Sequence, residues 1–294
     1  MLIENKTERD VFMVENEKKF LPFTKKRKIG YAFGIFTDSL LYNMFYTYFL
    51  TFLVQIVGIK PAVSGIVIFV SIAWDAITDP IIGAYTDRAG VDKRTVMKRA
   101  VIPLAIVYAL SWLNWSDITG VASPAVLVIM YIILTMGIWL FYTFYTIPYY
   151  AVVAEITQDY DERTSIRSMS SLVNAVATAL GNVVPALVTT VVFSHAITYF
   201  DVSAILAVVA ALLGFLAVAS LKGIFLEKAE LPKAPVKKMA ALTDTFNGFK
   251  EIAKLRPFKF FVMFVFFFLF GTGMIQSNFS YSVVYCMGLD YDTG

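Results

Sequence analysis

Seven long apolar runs leave this chain few ways to fold. They lie at about 30–56, 63–86, 100–115, 122–154, 169–194, 198–222 and 258–287. Crossing about 30 Å of hydrocarbon at about 1.5 Å per residue takes about 20 helical residues, and each run approaches or exceeds that. Lipid offers backbone N–H and C=O groups no partners, so only helices and closed barrels cross it. No run has the period-two alternation of a barrel strand. The expected fold is therefore an all-α membrane protein. Composition removes the alternatives: 58% of the 294 residues are hydrophobic and only 16% charged, against about 25% charged in soluble domains. A water-soluble enzyme and a nucleic-acid-binding module are excluded, and the bilayer is the expected partner. One Cys rules out a disulfide framework, and one His leaves little room for a metal centre. No organic cofactor is expected.

The basic residues set an orientation. Of the 25 Lys and Arg, all but Lys60 lie in four segments: before the first run, and after the second, fourth and sixth. If every run crosses once, these segments share one side, and basic segments stay in the cytoplasm. The expected organisation is a cytoplasmic tail (1–29), a six-helix bundle (30–222), a cytoplasmic linker carrying an amphipathic helix (223–257) and one further helix (258–294). A seven-helix receptor is the competing layout. The charged linker before the last run, and the charges inside the first two runs, argue against it.

Three acids sit where charge is costly. Asp38 lies in the first run, and Asp75 and Asp79 lie in the middle of the second. A charge at the bilayer centre costs at least about 2.5–3.5 kcal/mol, so each must face a cavity or a partner. Asp75 and Asp79 are spaced i, i+4, which puts both carboxylates on one helix face. They repel, and a shared proton or a cation relieves that. Thr78 adds an oxygen, and Pro80 frees the carbonyl of Ala76 from its helical bond. Such an oxygen set suits Na⁺ or H⁺. Intramembrane aspartyl proteases also use two Asp, but from two helices and with a Gly-Xaa-Gly-Asp element that this chain lacks.

The stretch Gly83-Ala84-Tyr85-Thr86-Asp87-Arg88-Ala89-Gly90-Val91-Asp92-Lys93-Arg94 resembles the loop after the second helix in the major facilitator superfamily. Trp74-Asp75-Ala76-Ile77-Thr78-Asp79-Pro80-Ile81-Ile82-Gly83 narrows the likeness. It is similar to the Trp-Asp-Ala-Ile-Asn-Asp-Pro-Xaa-Xaa-Gly of the glycoside–pentoside–hexuronide:cation symporters, the melibiose-permease-like branch. Tyr31-Ala32-Phe33-Gly34 with Asp38, and Ile147-Pro148-Tyr149-Tyr150 followed by Glu155, Thr157, Asp159 and Glu162-Arg163, carry it further.

The resemblance implies a six-helix N-terminal half plus helix 7, in a chain cut short at its C-terminus. It implies a secondary transporter that couples Na⁺ or H⁺ to the symport of a sugar or glycoside. Asp75, Thr78, Asp79 and Thr143 would hold the cation. Asp38, Tyr142, Thr146 and Tyr150 would hold the substrate. Asp87, Arg88, Arg94, Glu162 and Arg163 would form an inner-face gate. Thr37, Thr146 and Ser171 depart from the melibiose-type pattern of Lys, Asp and Arg, which points to another glycoside, a pentoside or a uronide. A related branch moves lysolipids, and an inactive fragment is the reading from outside the transporters. Gly34, Gly83, Gly181 and Gly214 are expected at helix contacts, and Trp112 and Trp115 in the interfacial belt.

Overall fold

The computed structural model describes residues 23–87, 91–120, 123–157, 159–186, 198–224 and 253–287. Among them every regular element is helical: α1 (Lys25–Ala32), α2 (Gly34–Thr51) with a π turn at Phe52–Ile56, α3 (Pro61–Thr86), α4 (Lys93–Ser111), α5 (Trp115–Thr119), α6 (Pro124–Ile156), α7 (Tyr160–Ala186), α8 (Tyr199–Ser220) and α9 (Arg256–Met287). Over the described residues, each of the seven apolar runs falls on a helix. The starts follow local rules. Pro61 and Pro124 open α3 and α6, where the missing N–H costs nothing. The Asp92 side chain accepts from Arg94 N at 3.2 Å, and Thr198 with Asp201 forms a capping box on α8.

Among the described residues, four helices are long and apolar enough to cross a membrane on their own: α3, α6, α8 and the Arg256–Ile275 part of α9. The others carry more polar residues for a visible reason. α2 buries Thr37, Asp38, Ser39, Asn43, Thr47 and Thr51, and three of these pair with α7. Ser39 donates to Asn174 Oδ1, Asn43 donates to Thr178 Oγ1 at 3.2 Å, and Thr47 donates to Asn182 Oδ1 at 2.7 Å. Each pair is 135 residues apart and one turn above the last, so α2 and α7 run parallel. Lipid tails are as apolar as Leu, so packing and such bonds hold membrane helices together, at an average of about 0.6 kcal/mol per bond.

α2 runs antiparallel to α6. Tyr149 donates to the Tyr31 carbonyl (3.1 Å), Tyr145 to the Gly34 carbonyl (3.0 Å) and Tyr142 to Asp38, while Trp139 packs on Tyr42. Parallel to α7 and antiparallel to α6 is what alternate crossings require. The main packing pairs are α2 with α7, α3 with α6, α4 with α6, α2 with α8, and α4 with α8. Exchanging α2 with α6, α3 with α7 and α4 with α8 leaves that set unchanged. The bundle is thus two inverted three-helix repeats, with α9 against α2.

Two sequence expectations need correction. Trp112 is not an interfacial residue. It is 1% exposed, its ring stacked on Tyr199 with centroids 5.9 Å apart and edge-on to Phe49 at 5.2 Å. Aromatic residues from α2, α6 and α8 converge there, and a large flat ring fills that space. Gly83 is not a contact glycine: a Cβ there would meet nothing within 4 Å. The other three are. A Cβ at Gly34 would lie 2.5 Å from the Tyr149 ring, one at Gly181 2.9 Å from the Leu40 carbonyl, and one at Gly214 3.1 Å from Thr37 Oγ1. Most of the tail and the linker helix lies outside the described residues.

Candidate functional site

α6 is the spine of the site. It packs on α3 through one face and on α2 through the next, so consecutive α6 residues meet different partners. Tyr142 and Tyr150 both turn toward α2, where their hydroxyls donate to the two oxygens of Asp38. Asp38 is 8% exposed, and a buried carboxylate needs donors; the two phenols supply them. Tyr150 is itself held from behind. The Arg167 guanidinium lies 5.2 Å from its ring centroid, and Nη2 donates to its carbonyl at 3.2 Å.

Thr143, the next residue on α6, meets α3. Its Oγ1 lies 2.9 Å from Asp75 Oδ1, 3.0 Å from Asp79 Oδ1 and 2.8 Å from the Trp139 carbonyl oxygen. The i, i+4 spacing of Asp75 and Asp79 does bring both carboxylates to one point, because α3 runs helical through Pro80. Thr78 is buried and donates to the Asp75 carbonyl at 3.1 Å. Thr146 is buried and donates to the Tyr142 carbonyl at 3.0 Å. Thr37 donates across the bundle to the Ala210 carbonyl at 2.7 Å.

The five expected gate residues divide. Arg88 lies outside the described residues. Asp87 reaches Lys93 at 3.0 Å, and Lys93 also pairs with Glu155 at 2.6 Å. This ties the loop after α3 to the end of α6. Lys93 is buried, which works to lower its pKa, but the hydrogen bonds to Glu155 and Asp87 outweigh that and hold it above the ordinary lysine range. Arg94 bonds Asp92 (3.0 Å) and donates to the Leu221 and Ile224 carbonyls at 3.2 Å, closing the end of α8. Glu162 pairs with Lys28 at 2.6 Å, and this hydrogen bond holds its carboxyl below the usual range. Arg163 caps α6, donating to the Thr157 carbonyl at 2.7 Å and the Ala154 carbonyl at 3.3 Å. These links join the basic ends of α1, α4 and α7 to the ends of α3, α6 and α8, so the described basic residues at these helix ends share one face. Sequence reading did not single out the Lys93–Glu155 pair. A lysine next to a helix start, opposite a glutamate at a helix end, is a weak signal before the two ends are known to meet.

Residues 30–294 match the profile of the MFS/sugar transport proteins. The chain belongs to that family. As a member it is an all-α, multi-pass membrane protein. It is 35% identical over 146 residues to the Uncharacterized symporter sll1374 of Synechocystis, covering 48% of this chain and 27% of that one. It is 30% identical over 148 residues to the Putative glycoside/cation symporter YagG of Escherichia coli, covering 49% and 31%. It is 27% identical over 137 residues to the Sodium-dependent lysophosphatidylcholine symporter 1 of Xenopus tropicalis, covering 45% and 25%. The matched stretch thus spans about half of this chain and a quarter to a third of each relative.

Proposed function

We propose that this chain carries the cation and substrate sites of a secondary transporter that couples Na⁺ or H⁺ to symport of a sugar or glycoside by alternating access. One observation carries the reading: three acceptors converge on Thr143 Oγ1, and a threonine hydroxyl has one proton. A cation or second proton held by Asp75 and Asp79 satisfies the remainder and removes the repulsion between the carboxylates. The oxygen-only set of Asp75, Asp79 and Thr143, with Thr78 alongside, fits a hard monovalent ion. Asp38 with Tyr142 and Tyr150 is a carboxylate between two phenols, which suits a ligand rich in hydroxyl groups. This favours a glycoside over a lysophospholipid, in line with the glycoside named for the relative YagG.

In this reading the neutralised pair no longer opposes movement of the loaded carrier between its two open states. Substrate on Asp38 shares the α6 scaffold, so each ligand favours the other. Asp87, Lys93, Arg94, Glu162 and Arg163 hold the inner face closed, Arg88 joins them, and basic segments and N-terminus face the cytoplasm of a plasma membrane. Residues 30–222 are one bundle, 223–257 a linker, and 258–294 the start of a second. The test is uptake into vesicles carrying the protein, over a panel of glycosides, pentosides, uronides and lysophosphatidylcholine, with and without a Na⁺ or pH gradient. Cation-stimulated uptake of a sugar that is lost in Asp79→Ala supports the reading. Stimulated uptake that survives Asp79→Ala overturns it.

A further inference from the structure

A cavity of about 500 Å³ opens between the start of α4 and the end of α8, away from the Asp38 and Asp75 sites. Its wall has two chemistries. Arg94, Lys98 and Lys222 supply three cations, and Phe215, Val218 and Ala219 supply an apolar strip. The acid in the wall, Asp92, is already paired with Arg94. Among the described residues, neither the Lys98 nor the Lys222 ammonium has a carboxylate partner. The carbonyl end of α8 does not oppose an anion here, because Arg94 covers Leu221 and Ile224 and Arg27 donates to the Lys222 carbonyl at 2.9 Å.

We propose that this cavity binds an anionic phospholipid, with its phosphate on Lys98, Lys222 and Arg94 and an acyl chain along α8. The order of residues supports it. Phe215, Val218 and Ala219 follow at i, i+3 and i+4 on α8, and Lys222 stands two residues past its last turn, so the wall runs from apolar to basic toward that end. A lipid beside that helix has the same order, tail then head. α8 is long and apolar enough to cross a membrane, which puts its end at headgroup level. A basic pocket between membrane helices is a headgroup site. A free phosphate would use the lysines but leave the apolar strip without a role. A zwitterionic headgroup brings its own cation, which the lysines would repel.

The test is native mass spectrometry of the full chain taken from vesicles of mixed phosphatidylglycerol and phosphatidylcholine. Wild type retains phosphatidylglycerol in preference to phosphatidylcholine. Lys98→Gln with Lys222→Gln lowers that retention by on the order of ten- to thirtyfold. Lys25→Gln with Lys26→Gln removes the same charge from exposed positions elsewhere and leaves retention unchanged, while Lys98→Arg with Lys222→Arg keeps it. The proposal is overturned by equal retention of both lipids, by equal loss in the two Gln pairs, or by complete displacement with inorganic phosphate. It is also overturned if wild type retains no lipid because residues 225–252 occupy the cavity, seen as crosslinks from them to Lys98.

Discussion

Tyr142 and Thr143 are neighbours on α6, yet their hydroxyls serve different carboxylates: Tyr142 donates to Asp38 on α2, and Thr143 stands between Asp75 and Asp79 on α3. Successive helical residues point about 100° apart, so one rigid element presents both sites. A rotation of α6 that disturbs one must disturb the other. This gives the proposed coupling between cation and substrate a physical path.

Thr143→Val removes the hydroxyl and keeps the shape. A hydrogen bond to a charged group is worth about 1.5–3 kcal/mol, so cation affinity should fall about 10- to 100-fold, and Thr143→Ser should restore most of it. Cation titrations of thermal stability would show this. Equal affinity in Thr143→Val would separate Thr143 from the site.

Tyr142→Phe and Tyr150→Phe each strip one donor from the buried Asp38. Each should lower stability in detergent by about 1–3 kcal/mol, read as a lower unfolding midpoint. Their combined loss should depart from the sum, because both act on one carboxylate.

Gly34→Ala and Gly83→Ala form a contrast. The first pushes a Cβ to 2.5 Å from the Tyr149 ring and 2.7 Å from Ala217 Cβ, and the second enters open space. Overpacking costs about 1–3 kcal/mol, so only Gly34→Ala should lower the unfolding midpoint.

The ion pairs give opposite pH limbs. Glu162 is held below its ordinary value of 4.5, so its pairing with Lys28 is fully present above that pH and lost as pH falls through the lower folded value. Lys93 is held above 10.5, so its pairing is fully present below that pH and lost as pH rises through the higher folded value. Lys28→Met should flatten the acid limb and cost less than about 1 kcal/mol, because that pair is partly exposed. Lys93→Met should flatten the alkaline limb and cost about 3 kcal/mol, because it strands Glu155. Unfolding midpoints across pH measure both.

The apolar runs made the helices legible, because length and hydropathy act locally. The Asp75/Asp79 pair was legible for the same reason: one helix sets its geometry. Meetings between helices were not. The Ser39, Asn43, Thr47 and Asn174, Thr178, Asn182 series are each visible at spacing four, but nothing local says that they face one another. Trp112 was misread because a tryptophan near a helix end fits a belt or a core equally well, and packing decides. The contact between Thr143 and the aspartates entered only through family likeness; no pattern in α6 alone selects that threonine.

Equilibrium cation binding tests the oxygen cluster of Asp75, Asp79 and Thr143 most directly. Radiolabelled sodium uptake by the purified protein and proton release on its addition should be measured for wild type, Asp75→Asn and Asp79→Asn. Wild type should show saturable Na⁺ binding or stoichiometric proton exchange, and both variants should lose it. Binding that is unchanged in both variants, or a wild type that takes neither ion, would contradict it.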